Sequence, residues 1–322
     1  MIVKEAAESI KIRKLKLILK RFPPHHPVRH EIEVELLKSV TGYNGEKSLD
    51  FHMNLLPDDE TFIFHDLRLP FGSNHFQIDI LILTTTFFLI LEVKNMAGTL
   101  IFDQEFHQLI RISNDKEDVF SDPISQVYRQ THLLKEWLKH HKFPEVPVES
   151  LVVISNPHTR IKYVPQSIKI SQKVTHSTNL LAKFHDYQHM RKSEFISKKD
   201  IKKLSRILLK RHSQSNQDLF QQFSITQDDL IKGVACTKCF TLSMIRSSRK
   251  WFCLKCGHYD KLAHIHALKD FALLNGPAIT VHECCDFFQI SSRHVVKHLL
   301  NAIKLPITPA GRHNIYHLEN LL

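Results

Sequence analysis

Two acidic side chains and a lysine are embedded in apolar, β-rich segments of the chain. Asp79 lies in QIDILIL (77–83), and Glu92 and Lys94 lie in FFLILEVKN (87–95). Because burying an unpaired charge costs on the order of several kcal/mol, such charges are usually retained for a purpose. Two carboxylates on adjacent strands form a hard-oxygen site for Mg²⁺ or Mn²⁺, and a neighbouring lysine can orient water or stabilise a phosphorane-like transition state.

The two segments are predicted to be strands of one hairpin, which brings these side chains together. Strand alternation places Asp79 on the face of Leu81 and Leu83, and Glu92 and Lys94 together on one face. The alternative is an internal ion pair, in which Lys94 neutralises one of the two acids at the rim of a sheet. Short acid–acid–lysine strings also occur by chance, so the neighbouring motifs matter.

Four cysteines form the strongest single motif. Two Cys-x-x-Cys pairs are separated by 13 residues, and the segment is short and polar. Each pair forms a knuckle that presents two thiolates to one side of a tetrahedral ion. The spacing predicts a closed, structural Zn²⁺ site in a zinc ribbon held by Cys236, Cys239, Cys253 and Cys256.

The C-terminal segment is predicted to be a helix-turn-helix. Thr280 caps a helix over about 281–288, a second helix begins near Ser292, and residues 311–318 resemble a wing. The alternative is a helical pair used for packing or protein contact. The predicted nucleic-acid-binding residues are Arg293, His294 and Lys297 on the second helix, and Arg249 and Lys250 on the ribbon hairpin. The last two residues also suit an ordinary ribbon surface.

Charge is unevenly distributed along the 322 residues. The net charge is +11, with +5 in residues 1–21 and +7 in residues 231–322, so the central part is nearly neutral. Basic flanks attract a polyanion, although a run such as 1–21 is also typical of a solvated helix face. The sequence has no membrane-span pattern and no apolar signal core, and paired cysteines favour a reducing compartment, so we expect a cytoplasmic protein.

Several segments, in order, resemble the NERD (nuclease-related domain) family of the PD-(D/E)xK nuclease superfamily, which is found largely in bacteria. They are GYNGEKS (42–48), HDLRL (65–69), FQIDILIL, LEVKN with Gly98, and DPISQVYRQ (122–130). The resemblance covers about 42–155. It implies a mixed sheet flanked by helices, Asp79 and Glu92 as metal ligands, and Lys94 as the catalytic lysine. The threonine turn 84–86 departs from the glycine that family members often carry, which affects the turn rather than the pocket.

The resemblance adds two further site residues. It implies that Glu46 faces the metal site, although an exposed glutamate in a first helical turn is the alternative. Gln126 lies in the first turn of a helix capped by Asp122, and related nucleases use a glutamine there to position substrate or water. A capping or surface amide is the alternative for Gln126.

The sequence therefore predicts an α/β (α+β) protein with a restriction-endonuclease-like mixed sheet, a zinc ribbon and a helical tail. The predicted function is Mg²⁺-dependent hydrolysis of DNA, aided by the ribbon and tail. The alternative is a catalytically silent nucleic-acid-binding or regulatory protein on the same fold. The predicted domains are a basic helical segment (1–41), the nuclease-like domain (42–165), a helical connector (166–231), the ribbon (232–260) and the tail (261–322).

Overall fold

The computed structural model describes residues 1–57, 60–164, 172–311 and 313–321. The chain forms two compact units. The first contains residues 1–9 and 38–215, and the second contains residues 10–37 and 216–322. The predicted boundary at residues 165 and 166 and the wing residue Arg312 lie outside the described residues. No helix in the described part of the chain is long and apolar enough to cross a membrane.

The main sheet of the first unit is mixed, as predicted. Its strands are β1 (Ile2–Lys4), β2 (Phe62–Phe71), β3 (Asn74–Leu83), β4 (Phe88–Lys94), β8 (Val148–Ile154) and β10 (Val174–His176). They lie in the order β1-β2-β3-β4-β8-β10; β2 to β4 are antiparallel, and the other neighbours pair in parallel. A second sheet, ordered β7-β6-β5-β9, contains β5 (Thr99–Asp103), β6 (Gln108–Ser113), β7 (Lys116–Ser121) and β9 (Arg160–Val164).

Helices cover both faces of the main sheet, which explains why β4 is apolar along almost its whole length. Helices α4 (Pro123–His140) and α6 (Lys198–Arg211) pack on one face through residues such as Trp137 and Leu204. Helices α3 (Asp50–Met53) and α5 (Leu180–Met190) pack on the other face.

Helix α2 spans Arg29–Lys47 without interruption. Gly42 and Gly45 both lie inside this helix. Glycine often follows a helix end, but it is also used where two backbones approach closely. A Cβ atom at Gly45 would lie 2.5 Å from the Asn95 Cβ, just after β4. Gly45 therefore allows α2 to pack against the end of that strand.

The second unit contains helix α1 (Ile10–Arg21), short helix α7 (Leu219–Gln222), the ribbon and the tail. Helix α1 ends before Pro23-Pro24. The ribbon strands are β11 (Met244–Ser247), β12 (Lys250–Cys253) and β13 (Tyr259–Asp260). Single 3-10 turns lie at Ser177–Asn179, Gln227–Asp229 and Glu319–Leu321.

The tail has the arrangement of a winged helix. Its elements are α8 (Ala263–Asn275), β14 (Ala278–Thr280), α9 (Val281–Phe288), α10 (Arg293–Ala302), β15 (Ile307–Ala310) and β16 (His313–His317), with sheet order β14-β16-β15. Thr280 and Ser292 cap α9 and α10. Gln289 ends α9 in the left-handed conformation (φ 58°), where a glycine is usual. Two capped helices joined by a short turn thus lie in the segment predicted to be a helix-turn-helix.

Candidate active site

Asp66, Asp79 and Glu92 occupy adjacent register positions on three neighbouring strands and are called the carboxylate row. The register of β2 and β3, which pairs Leu67 with Ile78, places Asp66 opposite Asp79. The register of β3 and β4 pairs Ile80 with Leu91. The next residues along the two strands, Asp79 and Glu92, therefore lie opposite each other. The two sequence-predicted acids are therefore neighbours in the sheet, and a third acid extends the row.

The row crosses the sheet at a local irregularity. Asp66 has a φ of +47°, which is unusual for a residue with a side chain. Ile78 shares a core cluster with Leu81 and Leu83, so the side-chain alternation shifts by one between Ile78 and Leu81. Strict alternation predicted that the Asp79 side chain lies on the same face of the sheet as Leu81 and Leu83. Asp79 instead lies between Ile78 and Leu81, where the alternation of side chains shifts by one residue. Irregularities of this kind re-aim side chains and are common beside active sites.

Asp79 reaches across to the backbone of β4. Its Oδ2 accepts a hydrogen bond of 2.9 Å from the Val93 N–H. Burial raises the pKa of Asp79 well above its ordinary value, and the charges of Glu92 and Glu46 raise it further. Among the described residues, the Asp79 Oδ1 atom accepts no hydrogen bond, so one oxygen remains available to a ligand.

Glu92 is buried, with only 2% of its surface exposed. The Lys94 Nζ donates to Glu92 Oε1 at 2.7 Å, and the Gln130 Nε2 donates to Glu92 Oε2 at 2.9 Å. The Lys94 Nζ also lies 3.5 Å from the Gln126 Oε1. The ion pair considered as an alternative is thus present, but it is one contact within a larger group that includes both glutamines.

Helix α4 presents both glutamines to this group. Asp122 caps the helix by accepting from the Ile124 and Ser125 N–H groups. Gln126 lies in the following turn, and Gln130 lies four residues later on the same face. Sequence reasoning identified Gln126 but missed Gln130, which is buried and also donates to the Gln77 carbonyl at 3.0 Å. The four-residue spacing in DPISQVYRQ was the available signal.

Glu46 lies in the last turn of α2, where the packing at Gly45 holds it near the row. Burial raises the pKa of Glu46 to about 8, and the charges of Asp66 and Glu92 add to this effect. Lys4 and Lys94 act in the opposite direction. The side chain implied by the resemblance is therefore in electrostatic contact with the strand carboxylates and is only partly exposed.

Sequence reasoning also missed Lys4 and Asp66. The Lys4 Nζ donates to the carbonyls of His65 and Asp66 at 2.8 and 3.0 Å, which holds β2 at its irregularity. The Gln77 Nε2 donates to the Asp66 Oδ1 at 2.7 Å. Asp66 stands in the quoted HDLRL string, so a signal existed; Lys4 lies in a three-residue strand that has no readable pattern.

The donor set fits a hard divalent cation. Asp79 and Glu92, on adjacent strands, offer the carboxylate oxygens that Mg²⁺ and Mn²⁺ prefer. Among the described residues, no three acidic side chains at this site bring their oxygens within 4.8 Å of one another. Burial is the largest cause of the raised pKa values of Asp79 and Glu46, and repulsion from neighbouring acids adds to it. A bound cation would relieve this repulsion.

The four ribbon cysteines form a second metal-ligating group. Their sulfur atoms all lie within 4.8 Å of one another, with Cys236–Cys256 at 3.7 Å and Cys239–Cys253 at 3.5 Å. Tetrahedral ligands at a Zn–S distance of about 2.3 Å are about 3.8 Å apart. A four-cysteine cluster compatible with zinc is therefore present, as the spacing predicted.

The basic residues predicted to bind nucleic acid are exposed. Arg249 and Lys250 lie at the turn between β11 and β12. Arg293, His294 and Lys297 lie on α10 and border a cavity of about 630 Å³. Their exposure leaves all five side chains accessible to a polyanion.

The comparisons with known proteins bear on the first unit. No curated protein and no solved structure matches the chain significantly. One family model matches, over the segment that contains the carboxylate row, Lys94 and Gln126. Residues 41–155 match the nuclease-related domain (NERD), so this part of the chain carries a nuclease-related domain.

Proposed function

We propose that this protein is a metal-dependent nuclease that hydrolyses phosphodiester bonds of DNA. The observation that carries the proposal is the carboxylate row at the local irregularity of β2 and β3, with Lys94 hydrogen-bonded to Glu92 and close to Gln126. The family match supports a nuclease-related fold over the same residues.

Asp79 and Glu92 would hold Mg²⁺ or Mn²⁺, with the Val93 main-chain carbonyl as a further ligand. When bound, such a cation supplies charge stabilisation and lowers the pKa of a coordinated water. Lys94 holds a positive charge beside the pocket, where it orients a water molecule or stabilises negative charge on the phosphate. Gln130 fixes the Glu92 carboxylate through its second oxygen, and Gln126 offers an amide toward substrate or water.

Glu46 and Asp66 add carboxyl groups to the pocket from α2 and β2. At neutral pH a pKa of about 8 keeps Glu46 largely protonated in the metal-free protein, so Glu46 can donate or accept a proton there. The zinc ribbon and the winged helix provide exposed cations for the nucleic acid, including Arg249, Lys250, Arg293, His294 and Lys297. Zn²⁺ in the ribbon is proposed to be structural.

The second candidate function is a nucleic-acid-binding or regulatory protein that has kept the fold without turnover. The Lys94–Glu92 ion pair, 2.7 Å long, is the observation that favours it. In that case the lysine neutralises a buried acid and has no chemical role.

The two candidates predict opposite outcomes for the same substitutions. For a nuclease, Glu92→Ala should abolish Mg²⁺-dependent cleavage, and Lys94→Ala should lose most of the rate while retaining metal binding. For a structural ion pair, each substitution strands a buried charge, lowers the stability by about 3–5 kcal/mol, and leaves any effect of Mg²⁺ unchanged. Cleavage of linear, circular and single-stranded DNA and thermal unfolding should be measured on the same proteins.

Exposed acid and lysine substitutions on β7, Glu117→Ala and Lys116→Ala, are matched controls for lost charge. Both controls should cleave DNA at the wild-type rate. Cleavage at that rate by the Glu92→Ala protein would contradict the assignment of the site.

A further inference from the structure

A groove in the second unit is lined by cationic side chains from two helices. It lies between α1, α8 and the first Cys-x-x-Cys knuckle, and its volume is about 700 Å³. Its apolar lining includes Leu17 from α1 and Ala267 and Leu273 from α8. The groove is separate from the carboxylate row, which belongs to the first unit.

One face of α1 supplies three cations to the groove. Arg13, Lys16 and Lys20 are exposed and are spaced by three and four residues, so they lie along one side of the helix. The opposite side of α1 packs in a core through residues such as Leu15 and Ile18. The basic N-terminal run is therefore a fixed helix with an ordered cationic edge.

Helix α8 lines the other side of the groove and increases its positive charge. His266 and Lys269 are exposed and lie three residues apart. The acidic side chain among the lining residues is Asp270, whose Oδ2 accepts from the Nη2 of the fully buried Arg21 at 3.1 Å. Arg21 already neutralises this acid. Asp270 therefore does not offset the positive charge of the exposed lysines and arginine that line the groove, which are Arg13, Lys16, Lys20 and Lys269.

An exposed aromatic ring stands at the knuckle end of the groove. Phe240 has 68% of its surface exposed and a φ of +60°. Gly257 occupies the corresponding place after the second knuckle, with a φ of +71°. A left-handed conformation costs about 1–2 kcal/mol for a residue with a side chain, whereas glycine adopts it freely. The first knuckle thus holds an aromatic ring in solvent where glycine would be the simpler choice.

We propose that this groove binds single-stranded DNA, with phosphates along Arg13, Lys16, Lys20 and Lys269 and a base stacked on Phe240. A cationic track beside an exposed aromatic ring is the combination that non-sequence-specific single-strand binders use. A duplex keeps its bases paired and stacked, so it can use the cations but not the ring. The choice of DNA as the polyanion rests on the proposed function.

The test uses the full chain, zinc-loaded, with Glu92→Ala to prevent cleavage. Binding of a labelled single-stranded 20-mer and of the matching duplex is measured by fluorescence anisotropy over a range of salt concentrations. Replacing Arg13, Lys16 and Lys20 with Ala should weaken single-strand binding at least tenfold and reduce the salt slope by about 2. Alanine favours helix, so α1 should keep its fold, which circular dichroism and thermal unfolding check.

Helix α6 offers a matched control. Lys199, Lys202 and Arg206 are exposed with the same spacing and the same numbers of lysines and arginines. Their triple alanine variant should bind the single strand as the parent does. Equal effects of the two triple variants would overturn the proposal, because they would show a general charge effect.

The aromatic contact is tested separately. Phe240→Ala should weaken single-strand binding about tenfold and leave duplex binding unchanged, and Phe240→Trp should restore single-strand binding. Phe106→Ala, at another exposed phenylalanine, is the control and should change neither. An equal loss for single strand and duplex, or a groove-dependent preference for phosphatidylserine vesicles or single-stranded RNA over DNA, would overturn the proposal.

DNA cleavage and single-strand binding by the groove can be lost independently of each other. If the Glu92-containing chain cleaves no DNA in Mg²⁺ but single-strand binding depends on the groove, the groove stands and the nuclease assignment falls. If DNA is cleaved but the α1 triple variant binds the single strand as the parent does, the nuclease assignment stands and the groove is not the single-strand site.

Discussion

At the residue scale, the site depends on the electrostatic interaction of Asp79, Glu92 and Glu46, whose side chains are partly or fully buried. Asp79 and Glu46 both have raised pKa values, and in each case burial is the largest cause and neighbouring acids come next. Lys94 and Gln130 bind the two oxygens of Glu92 and fix its orientation. Acidic side chains with raised pKa values beside a lysine are common at functional sites.

The raised pKa of Glu46 predicts a pH-dependent stability of the metal-free protein. The folded state binds the Glu46 proton more tightly than the unfolded state, whose pKa is near the ordinary 4.5. This contribution is therefore complete below about pH 4.5 and is lost as the pH rises through about 8. Glu46→Gln should remove this part of the decline, whereas Glu31→Gln, at an exposed position of the same helix, should not.

Denaturant unfolding of protein with an unoccupied carboxylate site, measured between pH 4 and 9 with zinc retained, gives the comparison. Parallel stability curves for wild type and Glu46→Gln would show that Glu46 titrates normally. Saturating Mg²⁺ should reduce the wild-type decline, because a cation favours the ionised carboxylates and so lowers the folded-state pKa of Glu46.

At the scale of single elements, the two glycines of α2 have different roles. A Cβ atom at Gly45 would meet Asn95 at 2.5 Å, whereas a Cβ atom at Gly42 would meet nothing within 4 Å. The Asn95 Nδ2 also donates to the Thr41 carbonyl at 2.9 Å, which ties the same helix to the end of β4. The close contact of Gly45 with Asn95 thus positions the end of α2. Glu46 is the next residue, so the same contact also positions its side chain.

The same substitution at these glycines should have opposite effects. Gly42→Ala should stabilise the protein by about 0.5–1 kcal/mol, because alanine favours helix over glycine. Gly45→Ala should destabilise it by about 1–3 kcal/mol through overpacking, and should lower cleavage by moving Glu46. Urea unfolding and a cleavage assay on both variants test this; a stabilising Gly45→Ala would mean that α2 is free to shift.

At the scale of the whole molecule, each core cluster of the described residues belongs to one of the two units. One cluster runs from the ribbon into the winged helix and includes Cys236, Trp251 and Cys253 with Phe288 and Tyr316. The ribbon and the tail therefore share a single core, although their sequences look like separate modules. The carboxylate row lies beside different clusters, within the first unit.

Loss of zinc should consequently affect more than the ribbon. Cys253→Ser should lower hydrogen-exchange protection across both the ribbon and helices α9 and α10, because these elements pack on one another. The strands β2 to β4 should keep their protection. Cys285→Ser, at a partly buried cysteine outside the cluster of four metal-ligating cysteines, is the control. Protection lost only within 232–260 would show that the tail folds independently of the metal.

Much of this protein follows from local sequence patterns. The two Cys-x-x-Cys pairs, the caps at Asp122 and Thr280, and the acids within apolar strands are short-range features, and the structure places the corresponding elements as predicted. Such features are readable because their physical cause lies within a few residues. The winged-helix order also follows from the spacing of capped helices and strands.

Only the tertiary structure decided which distant residues complete the sites. Pairing of β2 with β3 places Asp66 beside Asp79, and Lys4 bonds the Asp66 carbonyl from β1. The shift in side-chain alternation at Asp79 arises because β2 and β3 are both irregular at this point. Helix α1 belongs with the C-terminal unit because Arg21 bonds the carbonyls of Ile231 and Gly233. These contacts join residues about 60 to 210 positions apart. No local periodicity encodes them, because they depend on how complete elements pack.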